Sequence, residues 1–484
     1  MQGLNVMSLQ PLFPEIFLAA TALLFLVWGV LQGNRSTIKV LWLTVAALIG
    51  GIVLMGLEGS PTIKVLNNMV VFDDFSTMLK LVISTGLIAS LILSAGGIKD
   101  NAQLMRFEYP ILILLSGIGM MLMVSANNFL SLYVSLELSS LALYVLASIK
   151  RDDLRSAEAG IKYFVLGALS SGLLLFGISL IYGYTGTLDF DLVEGTLRQN
   201  SYNFVPGVIV GMVFILAGLC FKVSAVPFHM WTPDVYQGAP TPVTAFFAIV
   251  TKIAAIGLLI RLLSGPFSSA MPQWSQILVF ISLASVVLGS LAGLVQENIK
   301  RLLAYSSIGN MGFALIGLLA GTPEGVASVI IYITLYMIMT AGTFGIVMNM
   351  RRNGEAVERI SDLAGLSKTS PGTAYAMAAL MFSMSGIPPL AGFFSKLFVF
   401  QAAVSAGQYT VAVIGVVASV IGAYYYLRII KVMFFDQAEE KFDANPYASR
   451  TGIIFISVLL TVAFIVVPNL LLQVSTQAAQ SLFN

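Results

Sequence analysis

The sequence predicts an all-α polytopic membrane protein of about fourteen transmembrane helices, and three observations carry that prediction. Of 484 residues, 58% are hydrophobic and only 10% are charged, and the mean hydropathy is +0.92, more apolar surface than a water-soluble domain can hide. Apolar runs of about 18 or more residues recur between short polar turns, the length that crosses a hydrocarbon core of roughly 30 Å as helix. Lysine and arginine fall almost entirely in alternate connections between those runs.

In chain order the runs place helices at roughly 12–31, 38–57, 74–97, 107–125, 128–149, 157–184, 205–229, 240–264, 272–295, 301–319, 325–350, 370–404, 408–430 and 451–473. The first begins near Pro11 without a basic flank or a small-residue cleavage site, which reads as a retained helix rather than a signal peptide. One set of connections holds seventeen basic residues, among them Arg35, Lys150, Lys300, Arg351, Arg428 and Arg450; the other holds only Lys64, Arg198 and Arg261. By the positive-inside rule this puts both termini outside and the 351–368 and 428–450 loops in the cytoplasm. A missed helix would scramble the alternation.

Composition also excludes functions. The single cysteine, Cys220, and the single histidine, His229, cannot supply the several ligands that iron–sulfur, zinc or paired haem sites need. No GxxxxGK[ST] loop and no strand-flanked GxGxxG occurs, so the 43 glycines read as close-packing positions between helices. The expected surroundings are a lipid bilayer and protein neighbours, with no nucleic acid. Cys220 reads as a small packing residue.

Five basic residues lie inside the apolar runs, Lys80, Lys162, Lys222, Lys252 and Lys396, and none is arginine. An ammonium at the bilayer centre costs about 2.5 to 3.5 kcal/mol on insertion scales. Lys80, near an outer end with Asp73 and Asp74, and Lys162, about a turn and a half inside its helix, can snorkel or pair locally. Lys222, Lys252 and Lys396 have long apolar flanks on both sides, which points to a role. Burial disfavours a lysine's charged form and a nearby carboxylate favours it, so such a lysine can load and release a proton; a guanidinium stays protonated. Glu137, in FLSLYVSLELSSLALYVL, is the carboxylate far from any helix end and is expected to pair with Lys222. A purely structural buried ion pair is the alternative.

Two runs are interrupted. LCFKVSAVPFHMWTPDVYQGAPTPVTAFF places Pro227 five residues after Lys222, and MFSMSGIPPLAGFFSKLFVF places Gly386, Pro388, Pro389 and Gly392 before Lys396. Proline removes a backbone donor, which a membrane tolerates only where protein or water satisfies the freed groups. The broken helices are the seventh and the twelfth. Helices 4–8 and 9–13 would therefore be two five-helix repeats of inverted orientation, five crossings being odd. The expected divisions are 1–106 for helices 1–3, 107–264 and 265–437 for the repeats, and 438–484 for the last helix. His229 could relay protons between lysines, since imidazole titrates near neutral pH, or cap the broken helix. LGALSSG, Leu166 to Gly172, reads as helix packing.

The block KVSAVPFHMWTPDVYQGAPTPVTA, Lys222 to Ala245, resembles the antiporter-like membrane subunits shared by complex I and multisubunit cation/proton antiporters, and the resemblance extends over almost the whole chain. EAGIKYFVLGALSSGLLLFGISLIYG, Glu158 to Gly183, and SGIPPLAGFFSK, Ser385 to Lys396, look like the N-type branch found in bacterial NADH:quinone oxidoreductase. The M-type branch typically has glutamate at the position of Lys396. The L-type branch carries a lateral C-terminal helix for which the tail after Pro468 is too short. The resemblance implies proton-transfer roles for Glu137, Lys222, Lys252 and Lys396, with Lys162 and His229 as supporting relay positions. It also implies L-, M- and K-type neighbours, a bacterial inner membrane with periplasmic termini, and a complex whose FMN, iron–sulfur clusters and quinone belong to other subunits, none bound by this chain. A subunit of a stand-alone sodium/proton antiporter shares the same lysines and breaks and stays open as the alternative. A membrane scaffold would predict that neutralising Lys222 or Lys396 alters stability without altering coupling.

Overall fold

The computed structural model describes residues 6–57, 62–100, 104, 106–199, 205–437, 440–444 and 447–483. The expected boundary at 438 and the chain's last residue lie outside them. A short 3-10 turn, Val6–Leu12, leads into α1 (Phe13–Gln32), which packs against α2 (Thr37–Leu57). The hairpin β1 (Ile63–Val65) and β2 (Val70–Phe72) precedes α3 (Asp74–Asp100), α4 (Glu108–Val124), α5 (Phe129–Ala147), α6 (Leu154–Thr185) and the short α7 (Phe190–Gln199). The seventh crossing is split into α8 (Pro206–Val223) and α9 (Trp231–Gly238). The eighth runs from α10 (Thr241–Phe246) through a π-helical turn, Phe247–Thr251, into α11 (Lys252–Ser264). Then come α12 (Met271–Leu294), α13 (Ile299–Leu318), α14 (Pro323–Val347) and the hairpin β3 (Arg351–Arg352) and β4 (Glu355–Ala356). After the single turn α15 (Leu366–Thr369), the twelfth crossing is split into α16 (Pro371–Ser385) and α17 (Ala391–Ser405). The last are α18 (Tyr409–Phe435), α19 (Ala448–Ala463) and α20 (Asn469–Gln480).

Helix starts follow local chemistry. Asn128 caps α5 by accepting from the Leu130 N–H at 2.8 Å, and Asn298 caps α13 by accepting from Arg301 at 3.1 Å. Each satisfies a donor that a helix N-terminus leaves open. Thr322 does the same for α14, with Pro323 at the first helical position.

All fourteen expected crossings are helical, with two corrections. The last run does not continue to 473: α19 stops at Ala463, and the polar-faced α20 follows Pro468 and packs on α3 and α14. The proline, which cannot continue a helix interior, marks the division. The short α7 and both hairpins lie in stretches expected to be connections, because ten residues and paired three-residue strands leave no membrane-length signal.

The packing suits an apolar solvent. The eighth crossing is nearly all buried and α14 almost as fully, whereas α1, α6 and α12 turn apolar residues such as Leu24, Leu169 and Phe280 outward. The two repeats pack alike: α4 lies on α5 as α12 lies on α13, and α6 lies on α8 and α9 as α14 lies on α16 and α17. Both capping asparagines even pair with a distant strand-like segment, Asn128 with Asp189 and Asn298 with Arg359.

Candidate functional site

Both broken crossings end their first half in the same way. α8 closes at Ser224 with φ 63°, and α16 closes at Gly386 with φ 86°. The Ala225 N–H donates to Cys220 O at 2.8 Å, and the Ile387 N–H to Phe382 O at 3.2 Å, the wrap of a Schellman-type terminus. Each closure leaves helix-terminal carbonyls pointing into the protein, where the negative end of a helix dipole favours a cation.

Lysines occupy those termini. Lys396 Nζ donates to Met384 O and Ser385 O, both at 3.1 Å, and to Ser419 Oγ at 2.9 Å, above the Phe313 ring. Lys252 Nζ donates to Ser224 Oγ and reaches Lys222 O at 3.4 Å, 4.8 Å from the Trp231 ring centroid. The partner of Lys396 in the first repeat is therefore Lys252, each ammonium resting on a half-helix terminus, a serine and an aromatic face. The sequence gives each broken crossing one buried lysine, Lys222 and Lys396, on opposite sides of the prolines and so without a residue-by-residue match; in space the counterpart comes from the next crossing. Lys252 is also the first residue after the π-helical turn, a distortion frequent at functional sites.

Lys222 points the other way. Its Nζ donates to Ser140 Oγ at 2.7 Å and to Tyr144 OH at 3.3 Å. The expected ion pair with Glu137 is not closed: no contact within 4.0 Å joins them among the described residues, although Glu137 lies within electrostatic range. Ser140, one turn beyond Glu137 on α5, accepts from Lys222 and donates to Leu136 O at 2.7 Å. Glu137 is half-buried on the stripe of α5 that also shows Leu130, Val134 and Leu141, with its Oε1 lacking a hydrogen-bond partner among the described residues.

The supporting residues separate. Lys162 is partly exposed, paired to Glu158 at 2.7 Å and Asp234 at 2.8 Å, and Asp234 also holds Arg301 at 2.7 Å. His229 is half-buried at the surface of the first break, beside exposed Pro227 and Met230. No hydrogen bond ties it to a lysine among the described residues. Lys80 does not pair with Asp73 or Asp74; it meets Glu15 of α1 at 2.6 Å, both side chains almost wholly buried. Asp73 instead holds Arg261, which belongs to α11 and not to a connection. Among the described residues no group of three or more histidine, cysteine or acidic side chains converges on a metal position.

What freed the termini is visible in the backbone partners. The Val226 N–H donates to Ser285 Oγ at 2.9 Å, the Trp231 indole to Phe221 O at 3.0 Å, and the Gly392 N–H to Ser383 Oγ at 2.9 Å. Side chains thus replace bonds that an unbroken helix would make, as a membrane interior requires.

Comparison with known proteins bears on the fold and the family. Residues 126–422 match the family described as NADH:quinone oxidoreductase/Mrp antiporter, transmembrane. The chain is 48% identical over 485 residues to the NADH-quinone oxidoreductase subunit N of Paramagnetospirillum magneticum, covering 99% of both, and 50% identical over 481 residues to that of Parvibaculum lavamentivorans, covering 99% of this chain and 98% of that one. A chain of respiratory complex I from Thermus thermophilus superimposes with a TM-score of 0.81 at 31% identity, over 95% of this chain and 99% of that one. A chain of the Mrp complex from Dietzia shares the fold, with a TM-score of 0.85 at 23% identity over 98% of each. On the residues matched and the full-length identity, the chain belongs to the NADH:quinone oxidoreductase/Mrp antiporter transmembrane family, among its NADH-quinone oxidoreductase N subunits.

Proposed function

We propose that this chain is a membrane-arm subunit of a bacterial NADH:quinone oxidoreductase that conducts protons through Glu137, Lys222, Lys252 and Lys396 while NADH oxidation and quinone reduction proceed in other subunits. The observation that carries it is the pair of ammonium groups, on Lys252 and Lys396, held by helix-terminal carbonyls, serine and an aromatic face with no carboxylate in contact among the described residues. Such a site stabilises a cation through dipoles alone, so the lysine can give up its proton without leaving a buried carboxylate unpaired.

Residues 107–264 and 265–437 then form two half-channels of opposite orientation. Glu137 acts on Lys222 through its charge at a distance rather than by direct contact. A change in the surroundings of Glu137 alters the charge that Lys222 feels, and the proton passes inward through Lys252 to Lys396. A cavity of about 570 Å³ near the far end of α17 is lined mainly by apolar residues such as Leu319, Ile331 and Phe398, with Glu324, Gln401 and Gln480 among them. Lys162, in its cluster with Glu158, Asp234 and Arg301, supplies charge near the other end of the first repeat, and His229 lies at the face of the break open to a neighbouring subunit. FMN, iron–sulfur clusters and quinone are assigned to other subunits, and L-, M- and K-type subunits are the expected neighbours. The membrane is the bacterial inner membrane, with both termini periplasmic.

The test is NADH-driven proton uptake in inverted membrane vesicles, wild type against Lys222→Ala and Glu137→Gln, after native-gel confirmation of assembly. Loss of most of the uptake per NADH is expected. Undiminished uptake in an assembled Lys222→Ala complex, with sodium/proton exchange abolished in a parallel assay, would move the chain to the antiporter reading.

A further inference from the structure

Lys222 rests on two hydroxyls of α5 and leaves untouched a carboxylate on the same helix. Glu137, Ser140 and Tyr144 follow one another at intervals of three and four residues, the spacing that lines side chains up on one face of a helix. The Lys222 ammonium lies at the far end of that stripe, donating to Ser140 Oγ at 2.7 Å and to Tyr144 OH at 3.3 Å, 5.6 Å from the Tyr144 ring centroid. A helix rises about 1.5 Å per residue, so Tyr144 stands roughly 10 Å along the axis from Glu137. A flexible four-carbon stem lets an ammonium move along such a stripe. A carboxylate is also the stronger acceptor, since a hydrogen bond between two charged groups outweighs one to a neutral oxygen. Something must hold the ammonium away from Glu137.

Tyr144 is built to do so. Its ring is fixed edge-to-face by two neighbours on α6, Tyr163 at 4.9 Å and 89° and Phe164 at 5.7 Å and 80°. Its hydroxyl lies over Gly167 of α6, where an added Cβ would stand 2.1 Å from the oxygen, so any other residue there would push the hydroxyl aside. Ser171, one turn further along α6, faces the same hydroxyl. The Ser171 Oγ is buried without a hydrogen-bond partner among the described residues and can take the phenolic proton, which turns the Tyr144 lone pairs towards Lys222. Ser140 gives its own proton to Leu136 O at 2.7 Å and likewise presents a lone pair.

The second repeat supports the link between these features. Counted from the capping asparagines, the α13 residues at the places of Glu137 and Tyr144 are Ser307 and Ala314. Counted from the caps of α6 and α14, Asp153 and Thr322, the place of Gly167 holds Tyr336. Carboxylate, phenol and glycine seat occur together in the first repeat, and none of the three stands at the matching places of the second.

The structure assigns Tyr144, seated on Gly167, as a positioning residue that with Ser140 holds the Lys222 ammonium off Glu137. Glu137 is thereby left free to respond to its surroundings while its charge still reaches Lys222. Without the phenol, one neutral acceptor remains against a carboxylate, and the ammonium closes onto Glu137. The consequence for transport rests on the proton-conduction reading above; the placement of the ammonium does not.

The test uses the complete complex in its membrane and two readouts. Dicyclohexylcarbodiimide, an apolar reagent that adds to protonated carboxyls in membranes, is followed at the Glu137 peptide by mass spectrometry, with Glu137→Gln as blank. Proton uptake per NADH is read in inverted vesicles and normalised to assembled complex. Phenylalanine keeps the ring between Tyr163 and Phe164 and removes only the hydroxyl. In Tyr144→Phe the ammonium should hold Glu137 as its carboxylate, so labelling should drop several-fold and the uptake ratio should fall at least halfway to the Lys222→Ala level. Gly167→Ala, which reaches the same hydroxyl from α6, should do likewise. Labelling should return in Tyr144→Phe combined with Lys222→Ala, where no ammonium is left to close; a packing defect would not be reversed in this way. Unchanged labelling in Tyr144→Phe, or no labelling of Glu137 in the wild type, overturns the placement. Lowered labelling at a wild-type uptake ratio overturns the assigned role in transport. A normal ratio in assembled Lys222→Ala would instead overturn the conduction reading.

Discussion

Arg261 donates from Nη1 and Nη2 to the two oxygens of Asp73, both at 2.9 Å, and from Nε to Val124 O at 2.8 Å. Burial pushes the Asp73 carboxyl up, but the Arg261 charge and hydrogen bonds, with two more from Ser76, bring it below the ordinary value of 3.8. A carboxyl depressed in the folded state contributes stability that is complete above its unfolded pKa and lost as pH falls through the folded one. Thermal stability of the purified complex should therefore decline from about pH 4 downward by an increment that Asp73→Asn abolishes. Arg261→Leu leaves the carboxylate buried without its partner, which costs about 3–5 kcal/mol; a loss of assembled complex on native gels is the expected sign, and full assembly would show the pair to be dispensable. The sequence exposes the cost of such groups but not their partners. Arg261, Lys300 and Arg450 read as residues of connections because they stand near helix ends, yet Lys300 is buried against Glu358 and Ala239 O, and Arg450 against Met348 O and Asn349. Those partners come from distant connections and helix ends that no local pattern links.

The broken helices were legible because proline and glycine state a backbone requirement directly, whereas the π-helical turn before Lys252 carries no such residue and the stretch FAIVT reads as ordinary helix. Tertiary packing decides it: this turn is buried among α3, α10 and α14. The same distinction gives a test at the second break. Gly386, with φ 86°, closes α16, and a Cβ there would stand 3.1 Å from Lys396 Cδ and 3.3 Å from its Nζ; Gly407, with φ 77°, has nothing within 4 Å. Left-handed backbone costs an L-residue about 1–2 kcal/mol at either place. Gly386→Ala should therefore reduce proton uptake per NADH several-fold by displacing the ammonium from the Met384 and Ser385 carbonyls, while Gly407→Ala loses some stability and keeps the uptake ratio. Equal ratios in the two variants would show that Lys396 tolerates the displacement.

At the scale of the molecule the number of crossings was legible and the centre was not. Length and hydropathy mark every apolar run alike, but they do not say that the eighth crossing and α14 are enclosed while α1 and α6 face outward, because in a bilayer both surroundings are apolar. The hydroxyls of Tyr332 and Tyr336 disclose it only once α14 is seen to be buried, since a lipid-facing helix would not carry them at mid-depth. Orientation rests on the lysine and arginine count, and parity makes it testable. Five crossings separate α7 from β4: the α8–α9 pair, the α10–α11 pair, α12, α13 and α14. The only native thiol, Cys220, is fully buried, so a membrane-impermeant maleimide reports introduced cysteines alone. Gly195→Cys, at an exposed position with open space around it, should label in right-side-out spheroplasts, and Glu355→Cys, on the exposed β4, only in inverted vesicles. Labelling of both from the same side would break the odd count and with it the inverted relation of the two repeats; exchange of the two results would keep the repeats and reverse the chain in the membrane.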